Sequence, residues 1–458
     1  MSDQSDLEQF ASADSGGERQ PAERESEDPD PEEHGTARFP SLPTDWEIKR
    51  LDEVATVQGG STPSTDEDEY WGGDIPWATP TDLTELQGNT ISDTGDKITE
   101  SGLESTSTHV LPPYSVLLTS RASIGKCAVN TVPMATNQGF QSLIPGEKLN
   151  TWYLYYVITE MAPYLESLGA GSTFSEISKR VVQRVQIPVP PMEEQLRIVT
   201  IMNTIDQRIR TTRKSLQYVN RAKRGVMEHL FTEGYDSHRD YSEGKYGEYP
   251  AAWDVINIDE GAVQIQAGGT PSTDKPEYYG GEIPWVKTGE LSQRRITETE
   301  EMITQEGLEN STARLFSPGT VLVAMYGATT GEVAMLETEA TTNQACCGIV
   351  TDDEILNSRF LYHQLEYFKR QLASLGAGSG QQNISKGIIQ KFDIYVPPIQ
   401  EQKNIAAVLD TFDEKAEILI EEESRLKTVR NGVREELITG NIRVDDRIQI
   451  VDEVRVNG

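Results

Sequence analysis

The sequence predicts two mixed, strand-rich α/β domains in tandem, each followed by a long helix of coiled-coil character. A set of short motifs occurs twice in the same order; Gly-Gly-x-Ile-Pro-Trp, for example, stands at residues 72–77 and again at 280–285. Short apolar runs separated by Gly and Pro indicate strands and turns within each copy. After each copy, apolar residues recur at alternating steps of four and three, which indicates a coiled-coil helix.

The two copies are offset by 207 residues, the difference between Trp46 and Trp253. Two copies of this length are not a solenoid, whose units have about 20–50 residues, so each copy is large enough to fold by itself. The other paired motifs are residues 59–65 with 268–273, 136–138 with 342–344, 168–172 with 375–379, 177–179 with 384–386, and 190–195 with 397–402.

Composition and motif positions divide the 458 residues into predicted segments. The first segment is polar and acidic, with frequent Pro, Ser, Asp and Glu, and it cannot bury a core, so we predict disorder there. The segments are an acidic disordered tail at 1–44, a first domain at 45–191, a first coiled-coil helix at 192–233, a linker at 234–250, a second domain at 251–398, a second coiled-coil helix at 399–440 and a C-terminal tail at 441–458.

Within the first domain, the runs at residues 115–119 and 185–189 predict strands. Residues 151–168 carry aromatic and aliphatic side chains at helical spacing, and Gly169 is placed to end that helix. The same order of signals recurs in the second domain, from Trp253 to Pro398.

The two long helices are predicted to bury one apolar face each. Each helix ends near a glycine, Gly234 or Gly440, and at about 1.5 Å per residue a helix of roughly 40 residues is about 60 Å long. The predicted interface residues are Ile198, Met202, Ile205, Ile209, Leu216, Val219, Val226 and Leu230 in the first helix, and Ile405, Leu409, Phe412, Leu419, Leu426, Val433 and Leu437 in the second.

The charges of the two helices differ in sign. The first is basic between Arg208 and Arg224, whereas the second is acidic between Glu414 and Glu423. Opposite charges at flanking positions select coiled-coil partners, so the two helices are expected to pair with each other, in either orientation. The alternative interpretation is that the basic run binds DNA.

Overall charge and cysteine content limit the possible functions. The net charge is -33, from 74 acidic and 41 basic residues, whereas a nucleic-acid-binding surface is normally basic. Either the chain does not touch polyanions or it is adapted to high salt; we favour adaptation, because the acidic residues are spread over all segments. Cys127, Cys346 and Cys347 suggest neither a disulfide framework nor a metal site. No membrane span or signal peptide is apparent, so a cytoplasmic location is expected.

No catalytic motif is apparent in the sequence. Leu111-Pro112-Pro113-Tyr114 lacks the side-chain acceptor that an adenine methyltransferase would need and reads as a turn before a strand. Ile124-Gly125-Lys126 has no glycine at position 120 and is no phosphate loop. The five histidines show no metal or triad spacing. We therefore expect no catalytic residue, no metal and no bound cofactor in this chain.

Both domains are rich in side chains that can hydrogen-bond to base edges or phosphates. Asn and Gln suit adenine, Arg suits guanine, and Ser and Thr suit either; Gly-rich stretches before Lys179 and Lys386 could present amides to phosphate, or could simply end one helix and start the next. Trp77 and Trp285 are expected in the core. The candidates are Ser61, Thr62, Ser64, Thr65, Thr79, Thr81, Arg121, Asn137, Gln138, Gln141, Ser172 and Lys179 in the first domain, and Thr270, Ser272, Thr273, Lys287, Thr288, Asn343, Gln344, Ser379, Gln381 and Lys386 in the second.

The ordered, duplicated motifs resemble the DNA-specificity subunits of type I restriction-modification systems, from Trp46 to about Val444. The resemblance implies two target recognition domains, each reading half of an interrupted sequence in double-stranded DNA, and two helices that pair as an antiparallel coiled coil. It implies two modification (methyltransferase) subunits that use S-adenosylmethionine, and restriction (helicase-nuclease) subunits that use ATP and Mg²⁺. The specificity subunit itself is not catalytic. The unusual acidity suggests a halophilic archaeon as the source.

Two other functions remain alternatives at this stage: a single-chain methyltransferase or nuclease, and a coiled-coil adaptor that does not bind DNA. If the chain is instead a DNA-specificity subunit, the paired helices act as a ruler. They would space the half-sites by roughly 10–16 base pairs, at about 3.4 Å per base pair. Because counterion release contributes little at molar salt, weak DNA binding by the chain alone is expected.

Overall fold

The computed structural model describes residue 39 and residues 42–169, 176–376 and 383–451. Their contacts form two compact units: unit 1 joins the chain up to Asp206 with Thr428–Gly458, and unit 2 is Gln207–Lys427. Most of the predicted acidic tail lies outside the described residues, as do Ser172, Ser379, Gln381 and residues 452–458.

Unit 1 contains a five-stranded sheet, a three-stranded sheet and a strand pair. Its strands are β1 (Glu47–Arg50), β2 (Ala55–Gly59), β3 (Trp71–Ala78), β4 (Thr90–Ile91), β5 (Asp96–Ile98), β6 (Val116–Leu118), β7 (Cys127–Asn130), β8 (Ala135–Thr136), β9 (Gln141–Pro145) and β10 (Gln186–Val189). The sheet orders are β2-β9-β6-β7-β4, β5-β3-β8 and β1-β10. The predicted strands at 115–119 and 185–189 correspond to β6 and β10.

The helices of unit 1 are short apart from the long one that leaves it. They are α1 (Leu51–Val54), α2 (Pro80–Glu85), α3 (Glu100–Glu104), α4 (Thr151–Glu160), α5 (Ala162–Gly169), α6 (Lys179–Arg184) and the start of α7 (Met192–Thr232). The helix predicted at 151–168 is thus two helices that meet at Met161; Pro163, which has no backbone N–H, follows the break. Asn150 begins α4 by accepting hydrogen bonds from the N–H groups of Trp152 and Tyr153 (3.0 and 3.2 Å).

Unit 2 repeats this arrangement and adds a hairpin in front. Its strands are β11 (Tyr241–Gly244), β12 (Gly247–Pro250), β13 (Asp254–Asn257), β14 (Ala262–Ala267), β15 (Tyr279–Val286), β16 (Arg295–Ile296), β17 (Met302–Ile303), β18 (Val321–Ala324), β19 (Val333–Leu336), β20 (Thr341–Thr342), β21 (Cys346–Thr351) and β22 (Asp393–Val396). Its helices are α8 (Gln305–Glu309), α9 (Ser358–Tyr367), α10 (Lys369–Ser374), α11 (Lys386–Gln390) and α12 (Ile399–Ile438), whose last part lies in unit 1. The sheets are β14-β21-β18-β19-β16, β17-β15-β20, β13-β22 and the hairpin β11-β12.

Each five-stranded sheet separates two apolar cores, because successive side chains of a strand point to opposite faces. In unit 1, Val116 and Leu118 of β6 face the core that contains α4 and the start of α7, whereas Leu117 faces a smaller core on the other side. In unit 2, Val323 of β18 faces the helices and Leu322 the opposite core. The mixed, strand-rich α/β fold predicted from the sequence is confirmed.

The long helices α7 and α12 pair antiparallel within each unit. In unit 2, Arg208 binds Glu422 and Lys223 binds Asp413. The residue numbers of the partners therefore rise along α7 and fall along α12, as in an antiparallel pair. In unit 1, Ile198 and Ile438 lie in one core. The apolar interface residues predicted on both helices are all buried or half-buried. The orientation that the residues alone left open is therefore antiparallel.

The start of each long helix is fixed by a buried Glu-Gln pair. Glu194 accepts hydrogen bonds from Trp46 Nε1 (2.9 Å) and from Arg443 Nε (2.6 Å), a residue that follows α12. The Gln195 side chain bonds the backbone of Asn150 and Pro190 (2.9 Å each). These contacts explain why Pro-Pro-x-x-Glu-Gln spans the start of each long helix.

The second copy of this arrangement lies in unit 2. Glu401 accepts from Trp253 Nε1 (3.2 Å), from the backbone N–H of Tyr235 (2.9 Å) and contacts His238 Nε2 (2.9 Å). Gln402 bonds the backbone of Asn357 (2.8 Å) and other residues. In both units, the residues that follow one long helix return to the glutamate that begins the other.

Three predicted segments contain more structure than expected. Phe39 and Leu42, in the segment predicted to be disordered, pack on the core of unit 1 because they are apolar in a polar stretch. The predicted linker at 234–250 contains the hairpin β11-β12, where Tyr246 stacks on Phe392 at 4.9 Å. The predicted C-terminal tail at 441–458 begins with residues that pack on unit 1, including Val444, which is buried.

The cysteines are free thiols, and Cys346 and Cys347 are buried. Burial raises the pKa of Cys127 and of Cys347 to about 12, so these groups stay protonated. Among the described helices, none is both long enough and apolar enough to span a bilayer.

Candidate nucleic-acid interface

In unit 1, backbone hydrogen bonds join the loops that carry most candidate residues of the first domain. The Gly-Gly-Ser-Thr loop after β2, the start of α2, the loop after β6, the Asn-Gln turn after β8 and the segment before α6 are all connected. The bonds are Ser61 N to Thr136 O (3.0 Å), Asn137 N to Ala78 O (3.0 Å), Ser120 N to Gly139 O (2.8 Å) and Ile177 N to Ser120 O (3.0 Å). We call this set of loops the loop cluster of unit 1.

The loop cluster of unit 2 is built in the same way. Its bonds are Gly269 N to Thr342 O (2.9 Å), Asn343 N to Val286 O (2.9 Å), Met325 N to Ala345 O (2.7 Å) and Ile384 N to Met325 O (2.9 Å). Motifs that lie far apart in the sequence are therefore neighbours in each unit, and they occur twice because the cluster occurs twice.

The Gly-Gly dipeptides are required by close packing of two loops. A Cβ atom on Gly60 would lie 2.2 Å from the backbone oxygen of Asn137. A Cβ atom on Gly268 would lie 2.1 Å from Thr342 Oγ1 and 2.2 Å from its backbone oxygen. Real Cβ atoms do not approach this closely, so only glycine allows the first loop to cross the Asn-Gln turn.

The two side chains of each Asn-Gln turn have different roles. Asn137 Oδ1 accepts from Gly139 N (2.8 Å), and Asn343 Oδ1 accepts from Ala345 N (3.1 Å), so both asparagines hold the turn. The exposed Gln138 accepts a hydrogen bond from the Thr62 hydroxyl through Oε1. This contact leaves the amide N–H groups of Gln138 without an acceptor among the described residues.

The same pair occurs in unit 2, where the Thr270 hydroxyl donates to Gln344 Oε1. Gln344 is exposed. Each loop cluster therefore presents two amide donors, which suit the acceptor atoms of base edges. Of the four Asn and Gln candidates in these turns, the two glutamines fit a reading role and the two asparagines a structural one.

Several other candidates serve the fold. Thr79 bonds Asp82 Oδ2 through both its hydroxyl and its N–H (2.7 Å each) and so caps α2. Lys287 forms an ion pair with Glu301 (2.5 Å), and this hydrogen bond raises its pKa. Gln141 is half-buried at the start of β9, where its Oε1 has no hydrogen-bond partner among the described residues. Only displacement from these contacts would free Thr79 or Lys287 for DNA.

The tryptophans of Ile-Pro-Trp lie in the core, as predicted. Trp77 and Trp285 are each 5% exposed. Trp77 Nε1 donates to the backbone oxygen of Ser61, and Trp285 Nε1 to that of Gly269, at 3.0 Å each. Each buried ring therefore holds the Gly-Gly loop of its cluster through a hydrogen bond to the loop backbone.

The Gly-rich stretches before Lys179 and Lys386 lie mainly outside the described residues, but the helices after them are well defined. Ser178 accepts from Val181 N and begins α6, and Ser385 accepts from Ile388 N and begins α11, at 3.3 Å each. Both lysines are exposed at the first helical position. The serines are helix caps, and the lysines remain candidates for phosphate contacts.

The remaining candidates, Ser64, Thr65, Thr81, Ser272, Thr273 and Thr288, are exposed or half-exposed on the same loops. One further residue was missed. Tyr326 follows β18 at the position where Arg121 follows β6, and its side chain is 42% exposed. An exposed aromatic ring suits base stacking, and the signal for it was the alignment of Ser120-Arg121 with Met325-Tyr326.

Acidic residues border the loop cluster of unit 1. Arg121 Nε lies 3.8 Å from Glu176 Oε2, a weak ion pair between two partly exposed groups. Residues 66–69 are all acidic and exposed. Because they repel phosphate at low ionic strength, binding here would gain from added salt or from partner proteins.

A profile described as the type I restriction modification DNA specificity domain matches residues 43–221 and 250–428. The chain belongs to this family. The two matches coincide with the two copies of the framework, each with its loop cluster and most of a long helix. The motifs that the sequence duplicates are thus those of a DNA-specificity domain.

Of three similar proteins, two cover most of the chain and the other covers about a third of it. The MjaIX type I restriction enzyme specificity subunit of Methanocaldococcus jannaschii is 27% identical over 416 residues, 88% of this chain and 95% of that protein. The EcoR124I/EcoR124II specificity subunit of Escherichia coli is 33% identical over 168 residues, 35% of this chain and 41% of that protein. The S subunit of M. genitalium has a similar fold, with a TM-score of 0.54 at 13% identity over 87% of this chain and 98% of its own.

The Leu-Pro-Pro-Tyr segment has a structural role in this chain. Residues 111–114 form the predicted turn before β6, with Tyr114 at a φ of 67°. Within the described chain, one group could hold a metal by proximity: His363, Glu366 and Asp413. Lys223 Nζ lies 2.5 Å from Glu366 and 2.8 Å from both oxygens of Asp413. An ammonium ion thus occupies the position between these carboxylates that a metal would need.

Proposed function

We propose that this chain is the specificity subunit of a type I restriction-modification complex and reads a bipartite, interrupted sequence in double-stranded DNA. Each loop cluster would read one half-site. The observation that carries the proposal is the duplicated loop cluster: one framework, held by the same hydrogen bonds in both units, presents different exposed side chains. Arg121 in one cluster is replaced by Tyr326 in the other.

The two half-sites should therefore differ in sequence. Arg121 can bond guanine bidentately, whereas the Tyr326 ring can stack on a base or pack in a groove. The stretch at residues 79–82 (Thr-Pro-Thr-Asp) also differs from its counterpart at 287–290 (Lys-Thr-Gly-Glu). The exposed glutamines, Gln138 and Gln344, give each cluster the same kind of amide donor.

In this proposal the long helices set the gap between half-sites and dock the partners. Two modification subunits would bring S-adenosylmethionine, and restriction subunits would bring ATP and Mg²⁺, while this chain supplies no catalytic group. A helix of 41 residues is about 60 Å long, which suits a half-site spacing of roughly 10–16 base pairs at about 3.4 Å each.

The acidity of the chain is part of the proposal. We attribute the net charge of -33 to adaptation to a high-salt cytoplasm, as in a halophilic archaeon. In molar salt, counterion release drives little binding, so hydrogen bonds to bases, DNA shape and the partner subunits must supply the affinity. The isolated chain is then expected to bind DNA weakly.

Methylome sequencing of cells that carry the chain with its modification subunits tests the reading function. We expect one adenine-methylated motif with two different half-sites and unspecified bases between them. A continuous motif would contradict the bipartite reading. Cells carrying the modification subunits without this chain serve as the control and should lack the motif.

A second experiment tests the helices as a spacer. Insertion of one heptad into α7 and one into α12 preserves the apolar face of both helices. The gap between half-sites should lengthen while the bases of each half-site stay the same. Altered half-site bases at an unchanged gap would overturn the spacer role.

A further inference from the structure

Unit 2 contains a cavity of about 760 Å³ between α7 and the helices α9 and α10. This volume lies in the range of small-molecule sites, about 300–1,000 Å³. Its walls come from separate elements, including residues of α7, the segment around Arg294, Glu332 and the helical residues 362–371. Its lining includes none of the candidate base-reading residues, although Leu291 and Ser292 lie in the same helical turn as Thr288.

The lining carries five basic side chains against three acidic ones, Glu228, Glu332 and Glu366. Lys223 and Arg294 are bound to Asp413 at 2.8 and 3.2 Å, and Lys369 is paired with Glu332.

Two arginines remain. Arg224 and Arg370 line the cavity, are exposed, and have no ion-pair partner among the residues that the structure describes. Two unpaired guanidinium groups that share one concave site attract anions.

A buried hydroxyl in the cavity wall also has no partner. Tyr362 is 3% exposed, and its hydroxyl lacks a hydrogen-bond partner among the described residues. Burial, and then the charges of Glu366 and Asp413, raise the pKa of Tyr362 well above its usual value, so the hydroxyl stays a donor. A buried polar group without a partner is costly and in a native protein points to a bound water or ion.

Unit 1 shows that the framework does not need these charges. At the 207-residue offset, Arg224 corresponds to Asn431, Arg370 to Pro163 and Lys369 to Ala162. Helices α4 and α5 of unit 1 correspond to α9 and α10 of unit 2, and they form without these basic residues. The arginines of unit 2 are therefore additions to a shared fold.

We propose that this cavity is a binding site for a phosphate group, with Arg224, Arg370 and the Tyr362 hydroxyl as donors. A tetrahedral phosphate accepts hydrogen bonds from several directions, and planar guanidinium groups bind it bidentately. The phosphate is either a free anion or a phosphodiester of duplex DNA. The site does not depend on which bases the chain reads.

Isothermal titration of the full chain with inorganic phosphate, at constant ionic strength and chloride, tests the site. The double variant Arg224→Gln with Arg370→Gln should bind phosphate about tenfold or more weakly, since each charge-assisted bond it loses is a strong one. Arg221→Gln is the matched control, because Arg221 is exposed on the same helix but does not line the cavity. Equal loss in the control and the double variant would overturn the proposal.

Tyr362→Phe tests the buried donor separately. The variant keeps the ring and removes only a hydroxyl without a partner, so the melting temperature should not fall. Phosphate affinity should fall several-fold. Unchanged phosphate affinity in this variant would contradict the role of the hydroxyl.

Fluorescence anisotropy with a labelled duplex that lacks any methylated motif distinguishes the two sources of phosphate. If DNA is the source, inorganic phosphate competes with the duplex and the double variant binds the duplex more weakly than Arg221→Gln does. If a free anion is the source, phosphate binds but duplex affinity is the same in both variants. Absence of saturable phosphate binding together with equal duplex affinity would sink the proposal.

Methylome sequencing with the double variant separates this site from the reading function. The methylated motif should stay the same, because the loop clusters are intact. A changed motif would show that the arginines read bases, which contradicts a phosphate site.

Discussion

The two units carry a buried aspartate at the same place on their long helices, but they neutralise it differently. In unit 1, Asp206 accepts from the Tyr156 hydroxyl at 2.8 Å and from the Asn89 amide at 3.3 Å, and Arg430 lies 3.5 Å away. These are two neutral donors and one charged donor at a longer distance.

In unit 2, Asp413 is bound by charged groups. Lys223 Nζ lies 2.8 Å from both of its oxygens, and Arg294 lies 3.2 Å away. His363 takes the place of Tyr156, and Glu366 that of Thr159, at the 207-residue offset. Both units thus place a basic residue of the paired helix against the aspartate, Lys223 in unit 2 and its counterpart Arg430 in unit 1. Unit 1 adds neutral donors at shorter distances, whereas unit 2 adds a second charged donor, Arg294.

The largest difference is expected from removing the aspartate. Asp413→Asn removes one of the two carboxylates that bind the buried Lys223 and also the partner of Arg294, and it should destabilise unit 2 by about 3 kcal/mol or more. Asp206→Asn in unit 1 should cost about 1 kcal/mol, because it mainly weakens hydrogen bonds to neutral donors. Hydrogen–deuterium exchange of peptides from each unit measures both; equal losses would contradict the comparison.

Acid should destabilise unit 2 before unit 1. Although burial alone raises the pKa of Glu366 and of Asp410, nearby basic groups hold each pKa at about 2, below the unfolded values of 4.5 and 3.8. Lys223 bonds Glu366, while His363 and Arg359 bond Asp410. The unfolded state therefore binds more protons below about pH 4.5, and the stabilisation, about 2 kcal/mol per carboxyl, is lost as the pH falls towards 2.

Urea unfolding at a series of pH values, read by pulse labelling at one common pH, follows each unit separately. The urea midpoint of unit 2 should fall below pH 4.5 more steeply than that of unit 1. In Glu366→Gln, part of this difference should disappear. Parallel midpoints across the whole pH range would show that the charged network contributes no acid sensitivity.

The loop clusters should also differ in what they read. Arg121→Ala should weaken binding to one half-site, and Tyr326→Ala binding to the other, by about 1–3 kcal/mol each. Affinities of the assembled complex for duplexes with one altered half-site measure this. Lys148→Ala, which removes an exposed charge beside the α4 cap, is the control and should change neither half-site.

The smallest effect is expected at the surface of the paired helices. Arg208 and Glu422 form an ion pair whose side chains are 61% and 32% exposed, so it should contribute only about 0.5 kcal/mol. Arg208→Glu should lower the melting temperature slightly at low salt, and adding Glu422→Arg should restore it. A double variant as unstable as the single one would show that these charges do not pair in solution.

Local sequence patterns were sufficient to predict the long helices and the tandem units. The heptad residues predicted from spacing are the buried faces of α7 and α12, because helical periodicity is written directly in the sequence. The offset between Trp46 and Trp253 predicted the tandem units. The hairpin β11-β12 was missed because its packing depends on Tyr246 and Phe392, residues far apart in the chain.

The sequence predicted which residue types could contact DNA, but it did not predict how these residues are arranged in the loop clusters. Asn137 and Gln138 have similar chemistry, yet only their hydrogen bonds to Gly139 and Thr62 separate a structural role from a reading role. Lys223 stands in the heptad register as a basic residue, and nothing local indicates its partner Asp413, 190 residues away. Pairings at such separations are set by tertiary packing.

The division of unit 1 into two distant segments has a consequence for synthesis. Its core includes Leu437, Ile438 and Val444, and Arg443 bonds Glu194, so unit 1 cannot finish folding until these residues have emerged from the ribosome. Unit 2 is one continuous stretch and has all its residues earlier. Domains usually fold in order from the N-terminus during translation; here unit 2 has all its residues before unit 1, although unit 1 begins first.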